Sequence, residues 1–160
     1  MSVSNTFDNL VKLLDAGQAR YRVIEHPAEG KSDLVAAIRG TRPGQGAKAM
    51  LCKSKDGNGG LVLAVLPGDQ KVDFKKVAAA AGIKKATLAS PDEAMEATGC
   101  VIGAIPPFSF SDTISLIVDP GLVQAYDEIA FNAGRLDRSI VLDSKDYVRL
   151  ASPALHSLTA

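Results

Sequence analysis

Residues 47–66 read Ala-Lys-Ala-Met-Leu-Cys-Lys-Ser-Lys-Asp-Gly-Asn-Gly-Gly-Leu-Val-Leu-Ala-Val-Leu. Two apolar runs, Ala47–Lys53 and Leu61–Leu66, flank a polar, glycine-rich segment, Ser54–Gly60, which predicts two strands joined as a hairpin. Upstream, Phe7, Leu10, Val11 and Leu14 form an apolar stripe at helical spacing, with Asn5 or Thr6 to cap it and Gly17 to end it. Tyr21 to His26 alternates as a strand and stops at Pro27. Ser32 then opens a second helix as its cap, running to Gly40. Residues 41–46 form a loop by composition.

Downstream, Pro67-Gly68 turns the chain into a helix over Val72–Ala81, closed by Gly82, and Ala86–Leu88 is a short strand. Ser90-Pro91-Asp92-Glu93 supplies an N-cap, a proline at the first helical position and acidic residues in the first turn. That helix ends at Gly99. Further strands are expected at Cys100–Ile105, Thr113–Val118, Glu128–Phe131 and Ser139–Leu142, with a turn at Asn132-Ala133-Gly134. Asp143 or Ser144 caps a last helix near Tyr147–Leu150. About seven short strands with four or five helices predict one α/β (α+β) domain over residues 1–160. The helices do not alternate regularly with the strands. A mixed, strongly curved sheet is therefore favoured over a doubly wound parallel one.

Composition narrows the classes. With 46% hydrophobic residues and zero net charge in 160 residues, the chain can build a core and is not disordered. Apolar stretches such as Leu61–Leu66 fall far short of the ~18 residues of a membrane span, so no membrane partner is expected. Residues 1–5 lack the basic start and apolar region of a signal peptide, and a cytoplasmic location is expected. Cys52 and Cys100 form neither a disulfide framework nor a metal clip. Residues 1–90 carry 14 Lys+Arg against 8 Asp+Glu, and residues 91–160 carry 4 against 10. That split fits a polyanion meeting one face, or two halves that interleave and cancel. In either case affinity for nucleic acid should be modest and salt-sensitive.

The chemistry-bearing residues are few. His26 and His156 are the only histidines, neither has ligand-spaced partners, and no metal site is expected. No GxSxG elbow marks a serine nucleophile. The stretch from Gly40 to Ala49 looks like a phosphate loop but lacks the terminal Gly-Lys-Ser/Thr: Ala47 separates Gly46 from Lys48, and Ala49 has no hydroxyl. Lys48, at the mouth of a strand after a glycine-rich loop, can either point into a cavity or stand in water at its rim. In Gly99-Cys-Val-Ile-Gly-Ala-Ile-Pro-Pro-Phe, Gly103 permits positive φ, while Pro106 and Pro107 stiffen the loop. The amides of Gly103, Ala104 and Ile105 can converge as an oxyanion hole or carboxyl nest, or the segment can be a plain strand and stiff turn.

Four groups of residues occur in one order: Tyr21 with Glu25-His26-Pro27; Ile38-Arg-Gly-Thr and Gly44-Gln45-Gly46-Ala47-Lys48-Ala49; Thr98 to Phe110; and Ile129-Ala-Phe-Asn-Ala-Gly-Arg-Leu-Asp. From about Leu10 to Pro153 the chain resembles the YbaK/prolyl-tRNA synthetase-associated domain family, and within it the YeaK-like branch. These are free-standing relatives of a synthetase editing insertion. The resemblance implies an α/β domain with a partly barrel-like sheet flanked by helices. It implies a trans-editing enzyme that hydrolyses the ester of a mischarged aminoacyl-tRNA carrying Ser, Thr or Ala. The family's GXXXP loop matches Gly103 to Pro107, and its essential lysine matches Lys48.

On this resemblance Gly103 and Ala104 amides would stabilise the oxyanion, and Lys48 would orient the substrate. Tyr21, His26, Lys31, Ser32, Ile105, Pro106, Pro107, Asn132, Asp137 and Ser139 would line or support the pocket. As a lone histidine in a strand, His26 reads first as structural, and the alternative for Asp137 is a turn role beside Gly134. Such a reaction needs no cofactor, because the substrate is an activated ester and its vicinal ribose hydroxyl can assist water. The expected partners are the acceptor end of mischarged tRNA and an aminoacyl-tRNA synthetase, not DNA. The rival expectation is a non-catalytic module binding amino acids or tRNA on the same scaffold.

Overall fold

The structure, a computed structural model, describes residues 5–57 and 60–160. In chain order the first half comprises α1 (Asn5–Ala16), β1 (Tyr21–Glu25), α2 (Ser32–Arg39), a 3-10 turn (Pro43–Gln45), β2 (Ala47–Ser54), β3 (Leu61–Pro67) and α3 (Phe74–Ala81). The second half comprises β4 (Ala86–Leu88), α4 (Pro91–Thr98), β5 (Ile114–Val118), α5 (Pro120–Ala125), β6 (Glu128–Arg135), β7 (Arg138–Asp143), α6 (Ser144–Ala151) and β8 (Ala154–Leu155). The expected hairpin forms: β2 and β3 pair antiparallel without a break from Ala47↔Pro67 to Lys53↔Leu61, which sets Lys48 opposite Leu66. Its tip, at residues 58–59, lies outside the described residues.

The α/β fold and the mixed strand directions are as expected, but the sheet is not closed. It divides into an antiparallel sheet ordered β1-β7-β6 and a mixed sheet ordered β4-β2-β3-β5-β8. Among the described residues one parallel bridge, Gly46↔Ala130, links them. The main core lies between these layers and the helices, with Leu10, Leu14, Leu63, Phe131, Ile140 and Tyr147 buried in it. Leu10 and Leu14 belong to the stripe read from the sequence. Burial of such side chains contributes about 1.5–3 kcal/mol each.

Three expectations need correction. Cys100–Ile105 is not a strand: Gly99 leaves α4 at φ 73° and Gly103 turns again at φ 92°. The Ala104 amide donates to the Val101 carbonyl at 3.0 Å, closing a turn. Cys100, Ala104 and Ile105 are buried by loop packing instead of by a ladder, while Val101 and Ile102 are exposed. Asn132-Ala133-Gly134 is not a turn: β6 runs on to Arg135, and the chain reverses at Leu136-Asp137. The register slips between Asn132 and Arg135, and Gly134 at φ 83° absorbs this bulge. Ser32 is the first residue of α2, not its cap; Lys31 holds that position without a side-chain cap bond.

Smaller shifts have local causes. Asn5 and Thr6 lie within α1. The third helix starts at Phe74 because Asp73 caps it, accepting from the Lys75 amide at 2.9 Å. The helix α5 was not anticipated, although Asp119-Pro120 repeats the cap-then-proline signal read at Ser90-Pro91. Asp119 accepts from Gly121 N and, across the fold, from Leu158 N, both at 2.8 Å.

Candidate functional site

A cleft forms where the two sheets meet, with about 430 Å³ of free space counted out to its open mouth. Its walls come from distant parts of the chain: Gly30 before α2, Ser32, Val35 and Arg39 on α2, Gly46 to Ala49 at the start of β2, Gly103 and Ile105, and Asn132 on β6. The loop containing Gly103 abuts that containing Gly30 closely. A Cβ on Gly103 would lie 3.1 Å from Gly30 Cα and 3.2 Å from its carbonyl oxygen. A second close approach, Gly68 N to Gly46 O at 2.8 Å, holds the β3–α3 turn against the start of β2.

Lys48 and Gly103 therefore line one cleft, as the sequence reading required. Lys48 is half-buried, and its Nζ donates to the Gln70 carbonyl at 2.5 Å. Burial pushes its pKa below the ordinary lysine value, against a smaller upward pull from Asp69. The Gly103 and Ile105 amides have no acceptor among the described residues. The Ala104 amide is different. It is committed to Val101 and its side chain is fully buried, so the second free amide of the loop is Ile105 and not Ala104.

Beneath the cleft lies a polar network. Asn132 Nδ2 donates to the carbonyls of Gly103 at 2.9 Å and Glu29 at 2.8 Å, and so fixes both loops. Its Oδ1 accepts from Ser139 Oγ at 3.1 Å and from Arg39 Nη2 at 3.2 Å. Arg39 Nε donates to Ser139 Oγ at 2.7 Å, and His26 Nε2 meets the same oxygen at 2.7 Å. His26 Nδ1 lies 2.8 Å from the Pro27 carbonyl, so the ring supports the network from behind the cleft.

Other expected pocket residues lie elsewhere. The Tyr21 hydroxyl bonds Asp15 Oδ1 at 2.6 Å on the α1 side, and that bond pushes its pKa up to about 12. Lys31 is exposed and does not line the cleft. Asp137 sits in the β6–β7 turn, paired with Arg135 at 2.9 Å, where alternation to a turn role was the competing expectation. Pro106 faces a second, apolar cavity, and Pro107 is buried, its carbonyl accepting from Tyr147 Oη at 2.6 Å. These prolines hold the loop instead of touching the cleft. Ser32 does line it, and its hydroxyl has no partner among the described residues.

Arg39 is the residue that sequence reasoning missed. It is only 9% exposed, makes no ion pair among the described residues, and burial pulls its pKa down to about 10. The guanidinium thus stays charged at neutral pH. Its signal was a lone arginine at the end of an otherwise apolar helical stripe, which by itself reads as a solvated helix end.

The matching family is the aminoacyl-tRNA editing domain, whose model covers residues 26–150. This chain belongs to the aminoacyl-tRNA editing domain family. Over 154 residues it is 51% identical to the multifunctional Ser/Thr-tRNA deacylase ProXp-y of Escherichia coli K12, covering 95% of this chain and 92% of that one. A stretch of 97 residues, 61% of this chain, is 29% identical to a proline–tRNA ligase of Kosmotoga olearia, of which it spans 16%. In fold, the editing domain matches a crystal structure of a candidate trans-editing enzyme for prolyl tRNA synthetase. There the TM-score is 0.81 at 22% identity, with 97% of each chain covered.

Proposed function

We propose that this protein is a trans-editing hydrolase that cleaves the ester of mischarged aminoacyl-tRNA carrying a small amino acid, Ser, Thr or Ala. One observation carries the reading: the acceptor-free amides of Gly103 and Ile105 share a cleft with Lys48. The likeness to a Ser/Thr-tRNA deacylase over almost the whole chain supports it. The reading treats residues 1–160 as one editing domain at work in the cytoplasm. No helix among the described residues is long and apolar enough to cross a membrane. The likeness to part of a proline–tRNA ligase makes a synthetase a natural partner.

In the reaction, water adds to the ester carbonyl carbon, the bond to the ribose oxygen breaks, and that oxygen leaves as a hydroxyl. The vicinal ribose hydroxyl assists the water or relays its proton. The Gly103 and Ile105 amides receive the developing oxyanion, and a donor of this kind is worth about 2.7–4 kcal/mol. Asn132 aims them by holding the Gly103 carbonyl. Lys48 orients the ribose–phosphate end, a positioning role. Pro106 and Pro107 keep the loop stiff.

The test is a deacylation panel with Ser-, Thr- and Ala-tRNA mischarged on a tRNA for another amino acid. The native protein should accelerate ester loss, and Lys48→Ala should lower the rate at least tenfold while its circular dichroism stays native. Retention of these tRNAs without faster ester loss would establish the non-catalytic binder instead. Full activity in Lys48→Ala would refute the assigned site.

A further inference from the structure

Arg39 uses only part of its hydrogen-bonding capacity. A guanidinium carries five N–H donors. Nε is spent on Ser139 Oγ and Nη2 on Asn132 Oδ1, while Nη1 has no partner among the described residues. Nor is Nη1 sealed in the interior: among the described residues the only fully buried side-chain polar atom without a partner is Thr41 Oγ1. Nη1 stands 3.9 Å from where a Cβ on Gly46 would be, and Gly46 and Arg39 both line the cleft. A buried cation with spare donors is costly unless something occupies them. Among the described residues the lining contains no carboxylate that could do so. The walls beside Arg39 are Val35, Ala47 and Ala49, small and apolar, with room for a methylene or methyl group.

We propose that Arg39 reads the side-chain hydroxyl of the amino acid to be removed, accepting Ser and Thr and disfavouring side chains of the same size that lack the oxygen. The proposal rests on the deacylase reading above and names the substrate class within it. Ser139 and Asn132 fix the plane of the guanidinium, so that Nη1 presents its donors at one place. The substrate's hydroxyl oxygen accepts from Nη1, and Val35, Ala47 and Ala49 enclose its carbon. A side chain ending in carbon would leave the charged donors dry and unpaired, and it is this penalty that discriminates. Arg39 is thus a specificity residue, distinct from the amides that act at the carbonyl.

Two measurements test it. First, the unmodified protein is assayed on one tRNA charged with serine or with 2-aminobutyrate, which replaces the hydroxymethyl group by ethyl. Serine should be released roughly tenfold to hundredfold faster, the range of a single hydrogen bond to a charged donor. Equal rates on the two esters would overturn the assignment, with no dependence on any variant. Absence of serine release would instead remove the deacylase reading itself. Second, Arg39→Met and Arg39→Lys are assayed on Ser-, Thr- and Ala-tRNA. The kcat/KM ratio of Ser to Ala should collapse towards unity in Arg39→Met and recover in part in Arg39→Lys. An equal loss on all three substrates would show that Arg39 acts through Asn132 and the Gly103 loop, and would refute the proposal. A collapse of the ratio in Ser32→Ala, with Arg39→Met unchanged, would refute it in favour of Ser32.

Discussion

Ile105 separates two cavities of nearly equal size, about 430 Å³ on one side and about 400 Å³ on the other. The first holds Arg39, Lys48, Asn132 and the free amide of Gly103. The second is walled by Leu63, Pro106, Phe108, Phe110 and Ile114, with Thr6, Thr98 and Ser111 at its polar side. Volume does not tell them apart; the placing of donors does. In the first, Arg39 Nη1 and the Gly103 amide have no acceptor among the described residues. In the second, Ser111 Oγ is already bonded to Thr113 Oγ1 at 2.8 Å and Thr98 Oγ1 to the Ala94 carbonyl at 2.7 Å. One cavity keeps donors unpaired, and the other is the seam of a core.

Substitutions on the two sides should therefore separate stability from rate. The largest effect belongs to the core side. Phe108 is buried between Phe131 and Tyr147, with ring centroids 6.1 and 5.2 Å away. Phe108→Ala should cost about 3–5 kcal/mol of stability, measured by urea unfolding, and leave the folded protein's deacylation rate nearly unchanged. Gly103→Ala comes next, and on the opposite side. Its Cβ would press on Gly30, and φ 92° disfavours any side chain. Displacing one oxyanion donor should lower kcat roughly hundredfold, with a stability loss of only about 1–2 kcal/mol.

A smaller effect sharpens the role of charge in the first cavity. Because burial lowers the Lys48 pKa, raising the pH neutralises it sooner than a solvated lysine. Enzymatic rate, after subtraction of spontaneous hydrolysis, should fall with rising pH beginning below the ordinary lysine range. In Lys48→Arg that fall should move to higher pH. An identical profile in both proteins would separate the pH dependence from residue 48. The least effect is expected at Phe110, half exposed at the rim of the second cavity. Phe110→Ala should change stability by less than about 1 kcal/mol and the rate not at all, as thermal melting and the same assay would show.

Much of this comparison is legible in the sequence. The hairpin of β2 and β3, the capped start of α4 and the stripe of α1 were read from local pattern, because turn glycines, capping side chains and apolar periodicity act within a few residues. That Gly103 and Lys48 share one cleft was legible as well. What failed was anything settled by partners distant in the chain. Cys100–Ile105 has a strand's composition, yet Gly103, Asn132 and Glu29 tie it into a loop. Asn132-Ala133-Gly134 has a turn's composition, yet pairing with β7 holds it in a bulged strand. Ala104 is expected as a donor because its amide lies in a proline-stiffened loop, and one turn hydrogen bond to Val101 removes it. Tyr21, Lys31 and Asp137 were placed at the pocket, and each turned out to serve a local contact or the solvent instead.

The amino-acid sequence alone determined which segments are helix or strand by their short-range physics, and which family the chain joins through ordered motifs. Only the tertiary structure decided that a helix-end arginine is buried, that it is held by residues 93 and 100 positions away, and that one of its nitrogens is left to the cleft. The reason is that charge placement is a matter of distance and dielectric. Both are set when separate loops pack against each other, and neither is written in the spacing of residues along one strand or helix.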